Sequence, residues 1–238
     1  MTPLAAVLAL VAVFSSFTVS AAAGLGGSLI LVPALALIIG TKHGIALAAL
    51  LLAANNVVKV AAYRATLPYR RALIVIVVIS LGAAVGASLL VAAPDSLVTV
   101  TVIAMFVGTL LAERYDLIAL QRVGAPTLAF VSGATSGFSG TSGPLKGVAI
   151  RNLRMDRRHF VGAASLASLA GDATKAAVFA EASLLSATDL RIAVAAIPLM
   201  IVGTLSGRYI NRELGERGYR TLFWAVMAGY TARLLVRL

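Results

Sequence analysis

The chain has 238 residues, 60% of them hydrophobic and only 12% charged, so several apolar runs reach the roughly 17–25 residues that span a bilayer and no stretch is polar enough for a soluble domain. Its net charge of +11 would suggest nucleic acid in a soluble protein, but in a polytopic membrane protein it fits loops facing the cytoplasm and its anionic leaflet. There is no cysteine, which excludes disulfides, thiolate metal sites and cysteine nucleophiles.

Residues 4–23 are apolar. Residues 1–20 contain no Lys or Arg, so the basic head of a cleaved signal peptide is missing and the segment is expected to be retained. The cluster Gly24, Gly26 and Gly27 follows. Each glycine inside a helix costs about 1 kcal/mol relative to alanine, so the cluster predicts a helix break at membrane depth. A short apolar piece, 29–39, holds Pro33, and 40–44 reads as a turn. The next helix, 45–63, carries Asn55, Asn56 and Lys59 inside it. Residues 64–71 form a basic loop. Two helices, 72–92 and 97–112, are joined by a turn at 93–96, and 113–122 is a charged connector.

The pattern then restarts. Residues 123–139 are apolar and glycine-rich, and a second break falls at 140–144, with Ser139, Gly140, Thr141, Ser142, Gly143 and Pro144. A short piece runs to 150 and a basic loop covers 151–158. Helix 159–182 carries Asp172 and Lys175. A turn at 183–189 leads to apolar segments at 190–210 and 219–236, separated by 211–218.

A shift of 116 residues places Gly24 on Gly140, Gly27 on Gly143 and His43 on His159, these being the only two histidines. The same shift places Asn56 on Asp172 and Lys59 on Lys175. With one extra residue, Val85 and Gly86 fall on Val202 and Gly203. The chain is therefore read as two repeats, 1–116 and 117–238.

Charge decides their relative orientation. If each broken segment crosses once, Lys42, Arg151, Arg154, Arg157, Arg158, Arg208, Arg212, Arg217 and Arg220 face one side. Arg64, Arg70, Arg71, Arg114, Arg122, Arg191, Arg233 and Arg237 face the other, which is no bias. If each broken segment is a hairpin, one side keeps only Lys42, Arg191, Arg233 and Arg237. The positive-inside rule favours the hairpins. Three full crossings then remain in each half, so the halves are inverted and both termini face outward. The expected fold is an all-α polytopic membrane protein of two inverted repeats, each a glycine-broken helical hairpin plus three transmembrane helices.

Inverted repeats with broken helices are a recurring transporter plan, with the site at the midplane. A break exposes backbone N–H groups at a helix N-terminus, where the dipole favours an anion, and glycine admits a ligand close to the backbone. The same glycines would also suit helix packing. Lys59 and Lys175 lie at equivalent positions inside apolar helices, and an intramembrane charge marks function by default. Lys59 could instead snorkel to the interface, and Lys175 could pair with Asp172 on the same helix face. Asn55, Asn56, Ser139, Thr141 and Ser142 can donate hydrogen bonds to an oxyanion. Lys146, at the start of the short second-half helix, favours an anion or reaches the interface. Asp172 is the candidate carrier of a coupling proton or sodium ion. His43 and His159 sit at loop–helix junctions and read as structural. No metal-ligand spacing and no nucleophile–base pair is present, so neither a cofactor nor an enzymatic activity is expected.

The motif Gly24-x-Gly26-Gly27-x-x-x-x-Val32-Pro33, its degenerate copy at 140–149 and four apolar segments per half resemble the TauE/SafE sulfite exporter family over the whole chain. The second copy departs from the pattern, with Ser142 in place of a glycine and Ala149 in place of the proline equivalent to Pro33. The resemblance implies a bacterial or archaeal inner-membrane permease for small sulfur-containing anions such as sulfite and organosulfonates, coupled to an ion. It carries substrate contacts onto Gly24, Gly26, Gly27, Gly140 and Gly143. A cation or neutral-solute carrier, and a non-transporting assembly factor, are the alternatives. The expected partners are the anion, membrane lipid and a coupling ion, with no nucleic acid.

Overall fold

The computed structural model describes residues 3–23, 27–112, 124–141 and 145–206. Among them all regular structure is helical. The α-helices are α1 (Pro3–Ala23), α2 (Ser28–Ile39), α3 (Thr41–Ala62), α4 (Tyr69–Ala92), α5 (Asp95–Ala112), α6 (Ala125–Ser139), α7 (Leu145–Arg151), α8 (Arg157–Glu181) and α9 (Ala187–Ser206). A 3-10 turn at Arg64–Thr66 joins α3 to α4. The expected connector at 113–122 and the last apolar segment at 219–236 lie outside the described residues.

Three helices, Thr41–Ala61, Tyr69–Ala92 and Ala187–Ser206, are long and apolar enough to cross a membrane. The surface of α4 explains its role. Leu73, Val77, Leu81, Val85 and Leu89 recur every four residues and are all exposed. A stripe of this kind fits lipid, not water. Helix α8 has the length to span at 25 residues, but it carries Asp172 and Lys175 within its apolar stretch, and so differs in composition from the three apolar spans.

Several boundaries move from their expected places. The turn expected at 40–44 contracts to Gly40, which takes φ +91°, and α3 already begins at Thr41. A Cβ on Gly44 would run into the backbone of Leu35 and Ala36, so glycine is what lets α2 and α3 fold tightly against each other. The basic loop expected at 64–71 ends early. Arg70 and Arg71 belong to the first turn of α4, where the helix dipole does not favour cations.

The chain forms two compact units, residues 1–48 with 187–238, and residues 49–186. In the first, Gly203 of α9 lies against α1, where an added Cβ would come within 2.9 Å of the Phe14 carbonyl. In the second, α4 and α6 meet through paired glycines. Gly82 and Gly86 abut the backbone of Phe130 and Ala134, while Gly133 and Gly137 abut that of Ile79 and Ala83. Helices separated by small residues approach closely enough for backbone-to-backbone contact, the usual packing of membrane helices.

These contacts also give direction. Ile79 meets Gly133 and Ala83 meets Gly137, so α4 and α6 run parallel. Gly162 meets Thr66 and Gly171 meets Ile79, so α8 is parallel to α4 as well. Between α6 and α8 the chain turns back. Val148, Ala149 and Ile150 of α7 pack in one cluster with Ala72 and Val75 near the start of α4 and Leu128 and Ala129 near the start of α6. The segments 67–71 and 155–159 line one surface cavity of about 640 Å³. The α6–α7 segment of this unit therefore leaves at the end where it entered.

A prediction follows from the α4–α6 contact. Gly86→Val should lower thermal stability of the detergent-purified protein by about 1–3 kcal/mol, because no neighbour but backbone is there to yield. Gly108→Ala, with nothing within 4 Å of its added Cβ, should be neutral or slightly stabilising. Equal melting losses for both would show that the close approach does not govern stability.

Candidate functional site

The second break forms where the sequence places it. Gly140 ends α6 in the left-handed region at φ +79°, with its N–H donating to the Ser136 carbonyl at 2.8 Å. A left-handed C-terminal residue is where glycine avoids a steric penalty. The Ser139 hydroxyl lies 2.8 Å from the Thr135 carbonyl and 3.1 Å from that of Thr141. Ser139, expected as a ligand donor, thus staples the backbone of the break. Thr141 is buried beside it. Ser142, Gly143, Gly24 and Gly26 lie outside the described residues, while Gly27 is buried at the head of α2.

The chemistry gathers one turn deeper, around Lys175. This lysine is 0% exposed. Its Nζ lies 2.7 Å from Asp172 Oδ1 on the same helix and donates to Ser136 Oγ of α6 at 2.9 Å. The other carboxylate oxygen, Asp172 Oδ2, accepts from Asn56 Nδ2 of α3 at 2.7 Å. Three helices therefore meet at one ion pair. A charge this deep is tolerated only when paired and hydrogen-bonded, and the pairing foreseen between Lys175 and Asp172 is present.

Two more lysines surround the pair. Lys59 lies three residues beyond Asn56 with an exposed side chain, and Lys146 begins α7 half-buried. Both are near enough to Asp172 for their charges to interact, and Lys146 also interacts with Lys59 and Lys175. Lys175 is thus in contact with the carboxylate, and the other two ammonium groups act on it at longer range. Asn55 is buried, and its Nδ2 has no hydrogen-bond partner among the described residues.

Sequence reasoning did not single out the serines. Ser132, Ser136 and Ser168 line, with Lys146 and Asp172, a cavity of about 10 Å³ between α4, α6, α7 and α8. That is room for one water-sized group. Ser132 is 1% exposed and its Oγ has no partner among the described residues. The signal was present as Ser132-Gly133-x-x-Ser136-Gly137, a four-residue spacing that puts both hydroxyls on one face of α6 beside the packing glycines. His159, by contrast, serves its own helix. Asp156 Oδ1 accepts the His159 N–H at 3.0 Å and Oδ2 sits 2.6 Å from the ring Nδ1, a cap at the start of α8. Among the described residues no group of histidines and carboxylates could hold a metal.

A buried, hydrogen-bonded ion pair between helices, in a chain with apolar spans of membrane length, points to function within a membrane. The family model described as sulfite exporter TauE/SafE matches residues 8–234. The chain belongs to that family, a family of membrane transporters. No curated protein and no solved structure matched it.

The buried pair makes a testable demand on stability. Asp172→Ala should strand the Lys175 ammonium and lower unfolding stability by about 3–5 kcal/mol. Adding Lys175→Met to that variant should restore most of the loss, because no uncompensated charge remains. A double variant as unstable as the single one would show that the pair is not what the helices depend on.

Proposed function

We propose that the protein is a secondary transporter that moves a small sulfur oxyanion, sulfite or an organosulfonate, across the inner membrane by alternating access. One observation carries this reading: the buried Lys175–Asp172 pair has two further lysines, Lys59 and Lys146, within range of its charge and, among the described residues, no second carboxylate beside it. The cluster has a formal excess of two positive charges among membrane helices, which suits an anion. A cation carrier would need the opposite balance. The anion is held between α3, α6, α7 and α8, with Asn55, Asn56, Lys59, Lys175 and the second break, Gly140 to Gly143, as its surroundings. Gly24, Gly26 and Gly27 form the equivalent break of the first half. Asp172 carries the coupling ion.

The inverted repeat, 1–116 against 117–238, draws support from two features. Shifted by 116 residues, 1–48 falls on 117–164 and 187–238 falls on 71–122, so the first compact unit maps wholly into the second. Each unit thus joins the beginning of one repeat to the end of the other. The remaining segments, 49–70 and 165–186, are also copies of each other. They meet at Asn56 and Asp172, a residue and its own copy, 116 positions apart. A contact of that kind is what a two-fold axis produces, and an in-plane axis puts it at the midplane. The hairpin topology is supported by 67–71 and 155–159 lining one cavity. It places both loops in the cytoplasm and both termini outside.

Two measurements test this. Sulfite or an alkanesulfonate should raise the melting temperature of the purified protein, by an amount equal to about 2.7 kcal/mol at a hundredfold excess over Kd. Sulfate and chloride should do less, and Lys175→Gln should abolish the response. No response to any anion, with a response to sodium or pH alone, would replace the anion by a cation. For topology, the native chain has no cysteine, so single cysteines label cleanly. Ala65→Cys and Met155→Cys should react from the cytoplasmic side and Ser96→Cys from outside. Labelling of positions 65 and 155 from opposite sides would remove the hairpin.

A further inference from the structure

We propose that the Asp172 carboxylate is a built-in stand-in for the substrate: it occupies the anion's place on Lys175 and Asn56, and the incoming oxyanion displaces it as Asp172 takes up a proton. This rests on the anion-transporter reading above and adds to it the order of events at the site and three further contact residues, Ser132, Ser136 and Lys146.

The geometry is that of an occupied anion site. Asp172 spends both oxygens, one on Lys175 at 2.7 Å and one on Asn56 at 2.7 Å. A sulfonate or sulfite offers the same donors the same kind of oxygen. The adjoining cavity of about 10 Å³ holds one water-sized group, too little for a whole oxyanion. A sulfur oxyanion therefore enters only if a side chain leaves, and the carboxylate is the group whose partners it can inherit. Around that space wait donors not taken up by Asp172. Ser132 is 1% exposed, and its hydroxyl has no partner among the described residues. Ser136 already accepts from Lys175 and has a hydroxyl proton to give. Lys146 lines the same cavity.

Charge then couples the proton to the anion. The groups facing Asp172 are Lys175 on its own helix, Asn56 and Lys59 of α3, and Lys146 of α7. The lining residues from α4, Ile79 and Ala83, are apolar. If Asp172 were protonated with no anion present, Lys175 would keep only a serine hydroxyl. If the anion arrived with Asp172 still ionised, two negative groups would compete for the one buried contact on Lys175. Each event is unfavourable alone and favourable with the other, which is thermodynamic coupling and is reciprocal. The proton adds to a carboxylate oxygen and the anion takes over the ionic contact, so the charge of the cluster is the same before and after.

The experiment is calorimetry of ethanesulfonate binding, an anion whose own charge is constant across the working pH range, with sulfite beside it. In wild type, titrations in buffers of different ionisation enthalpy should show uptake of about one proton per anion bound, and affinity should fall about tenfold for each pH unit of rise. Asp172→Asn, which keeps the shape of the side chain and a carbonyl for Lys175, should bind at least tenfold more tightly at neutral pH, with no proton uptake and a flat pH profile. For sulfite, the difference between wild type and Asp172→Asn at each pH removes the ligand's own titration. Ser132→Ala should weaken binding several-fold in both backgrounds. Anion binding without proton uptake in the wild type overturns this proposal and leaves the anion transporter standing. No anion binding at any pH overturns both. Should Asp172→Asn fail to fold, the proton count in the wild type decides alone.

Discussion

A lysine ammonium with no exposure is the constraint from which the second unit is built. Lys175 cannot be left without a counter-charge among apolar helices, because an unpaired buried ion costs several kcal/mol. Meeting that demand fixes three helices at once. Asp172 must lie one turn away on α8, Ser136 must face it from α6, and Asn56 must reach the far carboxylate oxygen from α3. The result is a polar centre with an apolar surround, Leu73 to Leu89 turned outward on α4 and Ala83 and Ala87 turned inward.

The glycines make that meeting geometrically feasible. Serine and lysine can join across α6 and α8 only if both helices come close, and α4 draws them together: glycines bring α6 backbone-to-backbone with α4, and Gly162 and Gly171 set α8 against Thr66 and Ile79. Residues 133 and 137 are both glycine, and they alternate along α6 with Ser132 and Ser136. One surface of the helix thus packs while the neighbouring one supplies hydroxyls. Close packing and buried hydroxyls are carried side by side by the same six residues, Ser132 to Gly137.

Much of the architecture was legible because its signals are local. Length and hydropathy mark the spans, and the break at Gly140 follows from residues adjacent in the chain. The charge balance of the loops favours a hairpin, and in the second unit Leu67 to Arg71 line one cavity with Met155, Asp156 and His159, which agrees with that reading without testing the number of crossings. The pairing of Lys175 with Asp172 was readable from its spacing of three. What sequence did not give were partners set by long-range packing. Ser136 meets Lys175 across 39 residues, and its spacing from Ser132 marks a shared helix face without saying which partner lies opposite. Ser139 and Thr141 were natural donors for an anion, yet the left-handed turn at Gly140 directs the Ser139 hydroxyl to backbone carbonyls. The extent of the turn at 40–44 was misjudged for a similar reason: Gly44 is needed for the close approach to Leu35 and Ala36, not to end a helix.

The resident aspartate also resolves a difficulty faced by any carrier of anions. Three lysines with no counter-charge would hold an oxyanion too firmly to release it, and the empty carrier would be left with bare charge among apolar helices. At an effective dielectric of about 20, two unit charges 4 Å apart interact by about 4 kcal/mol, close to a thousandfold in affinity. In the proposed exchange, a carboxylate competing for the same ammonium would offset an attraction of that size when the substrate leaves, because Lys175 would be paired in both states. The empty and loaded forms then differ little in electrostatic energy, and a carrier that must pass through both on every cycle is not trapped in either. Asp172, with one oxygen on Lys175 of its own helix and the other on Asn56 of α3, has the partners that the proposed exchange requires.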